Sequence, residues 1–246
     1  MLSTKLFVFF FLICVSFSQL KPLRINAPAI TPTIDPIFQI PVPVCPNHVH
    51  WVVALDRSGS MGWGSPTNRW EGLTDLVNGP PGSGLIGQVQ DDVLSTFMFN
   101  HAAIEFPPSL GPIVHDPVPT SLPLAAQTPG GGTSFHAALM RAANIMDDYL
   151  WEHTCFVLIT DGESFYSQSA VNAINNVRAK ISRNCDFCAR CYFIKEQASS
   201  QIPTNFQRIC KDIGAPIVTS PVNQFKSVFL KDFSAAAASF KKSAGL

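Results

Sequence analysis

H-W-V-V-A-L-D-R-S-G-S-M-G, from His50 to Gly62, joins an apolar run to an oxygen-rich turn. Trp51 to Leu55 is rich in β-branched and aromatic residues, which predicts a buried strand. The run ends on Asp56, and Ser58 and Ser60 follow at alternate positions. Gly59 and Gly62 let the turn fold tightly, so one carboxylate and two hydroxyls leave the sheet at a single point. Three hard oxygens placed in this way suit one small cation and ask for further oxygen ligands from elsewhere in the chain.

Two later segments supply them. The loop P-G-G-G-T-S brings Thr133 and Ser134 to the start of a predicted helix, and C-F-V-L-I-T-D-G-E-S ends a second apolar strand on Asp161. The set Asp56, Ser58, Ser60, Thr133 and Asp161 resembles the metal-ion-dependent adhesion site (MIDAS) of von Willebrand factor A domains: D-x-S-x-S, then a threonine, then T-D-G, in the family's order. The resemblance implies that Asp161, and often Asp56, act through water while the three hydroxyls bind the ion more directly. Trp63, Ser134 and Glu163 are the candidate rim contacts for a ligand. With only two carboxylates in the set, the donors suit Mg²⁺, with Mn²⁺ or Ca²⁺ as alternatives, and leave a coordination position for an acidic side chain of a partner.

Outward from this centre, strand and helix patterns alternate. A helix is predicted over Arg69 to Val77, a strand over V-L-S-T-F-M-F-N with A-I-E-F as its antiparallel hairpin partner, and a long Pro/Gly-rich connection over 107–132. Phe135, Leu139, Ala142, Met146 and Tyr149 form a helical stripe from Thr133 to Leu150. A strand at Phe156–Thr160 comes next, and Val171, Ile174, Val177 and Ile181 mark another helix. A short strand at Tyr192–Ile194, a helix over Phe206–Ile213, a strand at Pro216–Thr219 and a final helix from Asn223 to Lys241 complete the order. The predicted fold class is α/β: a doubly wound, mainly parallel sheet with helices on both faces and one antiparallel edge strand. This is the Rossmann-like arrangement that the A-domain resemblance also implies. Sheets of this kind bind ligands at the carboxyl ends of their strands, where the motif residues fall.

The 246 residues divide into three expected parts. Residues 1–19 read as a cleavable signal peptide, with Lys5 ahead of an apolar block from Leu6 to Val15 that is short for a membrane span. Residues 20–47 are a proline-rich extended arm, either a linker or a segment lying along the domain, with Phe38, Ile40, Val42 and Val44 on one side. Residues 48–246 are the A-type domain. The expected product is secreted, with no membrane span after signal cleavage. The chain has 17 basic and 17 acidic residues, so charge does not point to nucleic acid. His101, His115, Asp116 and His136 lie in or near loops, but H-E-x-x-H, G-x-S-x-G and G-x-x-x-x-G-K are all absent, and the expectation is a binding protein that is not an enzyme. The expected function is divalent-cation-dependent binding of an extracellular protein ligand through an acidic side chain. The alternative is a structural subunit of an extracellular matrix or surface assembly.

Cys14 leaves with the signal, so Cys45, Cys155, Cys185, Cys188, Cys191 and Cys210 remain, an even number that fits disulfides in an oxidising compartment. The spacing C-D-F-C-A-R-C with Cys210 further on also admits a zinc or iron–sulfur site. Disulfides are preferred, with at least one bridge from the 185–191 knot, to Cys210 or Cys155. The sequence does not fix the pairing.

Overall fold

Eight consecutive buried residues, Val49–Asp56, form the central strand β1 of a seven-stranded sheet. The computed structural model describes residues 45–62, 69–80, 83–104, 114–150 and 152–246. The predicted signal peptide, most of the predicted proline-rich arm and Trp63 lie outside these residues. After β1 come α1 (Arg69–Asn78), the short α2 (Leu85–Gln88), β2 (Val93–Phe99), β3 (Ala103–Ile104) and β4 (Val114–His115). Then α3 (Phe135–Asp147), β5 (His153–Thr160), α4 (Gln168–Ile181), β6 (Phe187–Lys195), α5 (Thr204–Asp212), β7 (Ile217–Pro221) and α6 (Phe225–Ala244) alternate to the end.

The strand order is β3-β2-β1-β5-β6-β7, with β4 also on β2. β1 pairs in parallel with β2 and β5, and β5–β6 and β6–β7 are parallel as well. β3 and β4 are antiparallel to β2. The predicted antiparallel edge is present as β3, and β4 extends it within the stretch expected to be a long connection.

Both faces of the sheet are covered, which is why β1, β2 and β5 are buried along their whole length with no polar alternation. The period of two sends Trp51, Val53 and Leu55 to one core and Val52 and Ala54 to the other. The first core is closed by α1, α2 and α6, with Leu73, Leu76, Phe225, Phe229 and Phe233 as principal contacts. The second is closed by α3, α4 and α5, through residues such as Phe135, Leu139, Ile174 and Phe206. Phenylalanines at four-residue spacing on α6 lie against the sheet, Phe233 with its ring centroid 4.9 Å from Trp51 and Phe229 at 4.8 Å from Tyr192.

Caps define the helix ends. Ser134 caps α3 by accepting from Ala137 N–H (3.2 Å), and Ser167 caps α4 by accepting from Ala170 N–H (3.4 Å). The α3 helix therefore starts at Phe135, and Thr133 stands in the loop before it instead of at the helix start expected from the periodicity.

β6 is longer than the strand expected at Tyr192–Ile194, because the cysteine-rich knot is itself strand. Its two cysteines three residues apart point to opposite faces. Cys188 pairs with Cys155, its register partner on β5, and Cys191 pairs with Cys210 on α5 across the other face. The third disulfide, Cys45–Cys185, ties the segment before β1 to the loop after α4. All six cysteines among the described residues are consumed, which overturns the zinc and iron–sulfur alternative for C-D-F-C-A-R-C. Among the described residues no helix is long and apolar enough to cross a membrane.

Candidate metal centre

The chain runs from β1 to β2 on one side and only later to β5 on the other, so strand order reverses at β1. The crevice at the carboxyl ends of β1 and β5 is thus the place where a doubly wound sheet offers a site. Asp56 is the last residue of β1, and Asp161 directly follows β5. Registry of Leu55 with Ile159 puts the two carboxylates side by side.

The turn after β1 is pinned by the backbone. Ser58 N–H donates to Asp56 Oδ1 (2.7 Å), and Thr160 Oγ1 donates to Asp56 Oδ2 (2.5 Å). Ser58 Oγ lies 3.0 Å from Ser60 Oγ, and Ser60 Oγ donates to Asp161 Oδ1 (2.7 Å). A continuous chain of oxygens therefore links Ser58, Ser60 and Asp161, with Asp56 held beside it.

Thr133 arrives on the glycine loop, which is clamped to this turn. Gly59 N–H donates to Gly131 O (2.9 Å) and Gly130 N–H to Arg57 O (2.9 Å), while Asn100 Nδ2 donates to Gly130 O (2.9 Å). Gly131 has φ +78°, and a Cβ there would stand 2.7 Å from His101 Nδ1. Only glycine meets both demands. A Cβ on Gly162 would fall on Thr133 Oγ1, so the T-D-G glycine is what allows the threonine hydroxyl to lie against the residue following Asp161. Asp56, Ser58, Ser60, Thr133 and Asp161 are thus brought to one end of the fold.

The electrostatics fit a cation. Asp56 is fully buried, and burial pushes its carboxyl up to about 7, against the pull of hydrogen bonds from Thr160 and Ser58; the neighbouring Asp161 charge raises it further. Burial also raises Asp161, although Ser60 and Arg69 pull the other way. Two desolvated carboxylates side by side, with hydroxyls between, form a donor set that a hard dication would relieve of its mutual repulsion. In this respect the residues present fit the ion.

Arg69, the first residue of α1, is a participant that the sequence reading placed only as a helix start. Its Nη1 donates to Asp161 Oδ2 (2.6 Å) and to Ser60 O (3.0 Å), and its side chain is nine-tenths buried. Thr160, the first residue of the T-D-G motif, takes a part that the motif alone does not show, since its hydroxyl donates to Asp56. Among the proposed rim residues, Ser134 spends its hydroxyl on the α3 cap, and Glu163 is exposed. Glu163 lines a cleft of about 650 Å³ that runs from Ser60, Arg69 and Asp161 toward Glu196 beyond β6. Phe165 on the same loop is 90% exposed. The residues beside it are anchored: Ser164 O accepts from Asn205 Nδ2 (3.1 Å), and Tyr166 OH donates to Asp212 (2.7 Å) with Arg208 stacked on its ring.

No family model matches the sequence, and neither does any curated protein. Solved structures do match. A von Willebrand factor type A protein from Catenulispora acidiphila aligns over 79% of this chain and 42% of its own, at 18% identity and TM-score 0.56. The chain thus spans less than half the length of that protein. The conserved hypothetical protein BatB from Bacteroides thetaiotaomicron aligns over 79% of this chain and 99% of its own, at 18% identity and TM-score 0.55. Proximal thread matrix protein 1 from the mussel byssus, solved with a zinc-occupied MIDAS motif, aligns over 78% and 48%, at 15% identity and TM-score 0.52. At these identities the likeness is one of architecture, and the sheet order, the two helical layers and the matching solved structures together give this chain the von Willebrand factor type A fold.

Proposed function

We propose that this domain is secreted and binds an extracellular protein ligand through a divalent cation, Mg²⁺ in the first instance, held by Asp56, Ser58, Ser60, Thr133 and Asp161. The observation that carries the reading is the pair of buried carboxylates at the ends of β1 and β5, joined by serine hydroxyls at the strand-order switch. The three hydroxyls and two carboxylates position the ion, which supplies a Lewis-acidic point for an acidic side chain of the partner. Arg57, Asn100 and the 130–133 loop keep the donors in place, and Glu163 and Phe165 stand on the rim that a partner would cover. An exposed aromatic flanked by anchored residues has the character of an interface hot spot. Three disulfides support an oxidising destination for the chain. The mussel protein's metal-occupied motif on the same fold supports the choice of site.

The test is capture of partners from extracellular material on the immobilised chain in Mg²⁺, with elution by EDTA. A protein retained by wild type, released by chelator and lost with Asp56→Ala supports the reading. Retention undiminished in EDTA overturns it. A structural-subunit reading has support in the matrix role named for the mussel protein, and Mg²⁺-dependent self-assembly without any captured partner would favour it.

A further inference from the structure

Arg69 is the feature of the centre that the proposed function does not use. Its guanidinium is buried against Asp161 Oδ2 and the carbonyl of Ser60, the two residues whose side chains are themselves joined by a hydrogen bond. Its Nε, also buried, has no hydrogen-bond partner, so the group is held at this spot by the Asp161 and Ser60 contacts on Nη1. With both motif carboxylates ionised, as a bound ion would require, the centre holds two carboxylates, Asp161 in contact with Arg69 and Asp56 beside it, and one guanidinium, a balance of minus one. A dication entering beside Arg69 turns that balance to plus one, and one carboxylate from a ligand returns it to zero. Without the arginine, the balance would begin at minus two, and the ion alone would neutralise it.

Resting on the metal reading above, we infer that Arg69 couples the two binding events: it weakens binding of the bare cation and makes an anionic ligand necessary for tight binding. The cation and the carboxylate then favour each other by the same factor, as linkage demands. A fixed positive charge close to a dication, screened by an effective dielectric nearer to that of water than to that of the protein interior because the centre opens into a cleft, changes cation affinity on the order of ten- to a hundredfold. The position also makes Arg69 a positioning residue for Asp161, since it holds the oxygen that Ser60 leaves free.

The probe is Mn²⁺ alone, titrated calorimetrically into the full chain, with acetate or chloride at equal ionic strength. Arg69→Gln is expected to bind Mn²⁺ roughly ten- to a hundredfold tighter than wild type, and to lose most of the enhancement that acetate gives the wild type. Arg69→Lys keeps the charge without the planar fork, and is expected to stay within a few-fold of wild type; a purely architectural role would move both variants together. Equal Mn²⁺ affinity in wild type and Arg69→Gln overturns this inference while leaving the metal site standing. Absence of Mn²⁺ binding in both proteins overturns the metal reading and this inference together.

Discussion

Asp56→Asn removes the fully buried charge at the end of β1 while keeping a carbonyl oxygen to accept from Ser58 N–H. In the metal-free protein the Asp56 carboxyl titrates near 7 instead of 3.8, so between these limits the folded chain retains a proton that the unfolded chain has released. The folded state binds more protons, and this group's contribution to stability is therefore lost as pH rises through the window. A shift of about three units at about 1.4 kcal/mol each comes to about 4 kcal/mol, of which about 2–3 kcal/mol falls between pH 5 and 8. His50 works in the opposite sense: burial lowers it to about 4, so the unfolded chain takes up its proton first as pH falls, and stability is lost on acidification from about 6.5. The wild-type curve mixes the two, but the difference between wild type and Asp56→Asn cancels His50. The assay is urea unfolding in EDTA from pH 5 to 8. The variant's stability relative to wild type should climb by about 2–3 kcal/mol across the range. Excess Mg²⁺ should reverse the sign by stabilising the wild type alone. Difference curves that stay flat in EDTA would refute the buried-charge reasoning.

Gly162→Ala places a methyl group on Thr133 Oγ1 and should cost about 1–3 kcal/mol in unfolding experiments while abolishing Mn²⁺ binding; unchanged binding would show that Thr133 is not a ligand. Asp92 accepts from Val49 N–H (3.1 Å) and Trp51 Nε1 (2.9 Å) and pairs with Lys241 (2.7 Å), tying α6 to the start of β1. Asp92→Ala leaves those donors buried without an acceptor, and should lower stability in urea by about 2–4 kcal/mol without altering Mn²⁺ affinity. The Cys155–Cys188 bridge closes a loop of 33 residues, and the double alanine variant should lose about 3 kcal/mol by denaturant melt while the other two bridges remain intact by mass mapping.

Much of the fold was legible because a parallel sheet covered on both faces writes itself as continuous apolar runs, and Val49–Asp56 and His153–Thr160 are such runs. The helices facing them showed their stripes for the same reason. β6 was legible only at its end, since Phe187–Cys191 alternates small, charged and cysteine residues whose strand character comes from pairing with β5 and from the bridges. β3 was legible as the hairpin partner of β2, whereas β4 is a two-residue strand within the Pro/Gly-rich stretch and carries almost no periodicity, so its attachment to β2 had to come from the fold.

The order of residues alone determined which atoms are available at the centre: carboxylates and hydroxyls at the ends of apolar runs, with glycines wherever the backbone must turn sharply. It also determined that the six cysteines after the predicted signal peptide had to be accounted for. The tertiary structure decided what those atoms face. Gly162 makes room for Thr133, Thr160 grips Asp56, and Arg69, carried in from the start of α1, sets its charge against Asp161. The physical reason is that proximity of charges across 92 positions of chain depends on how two helical layers close over one sheet, and local propensity contains no term for it.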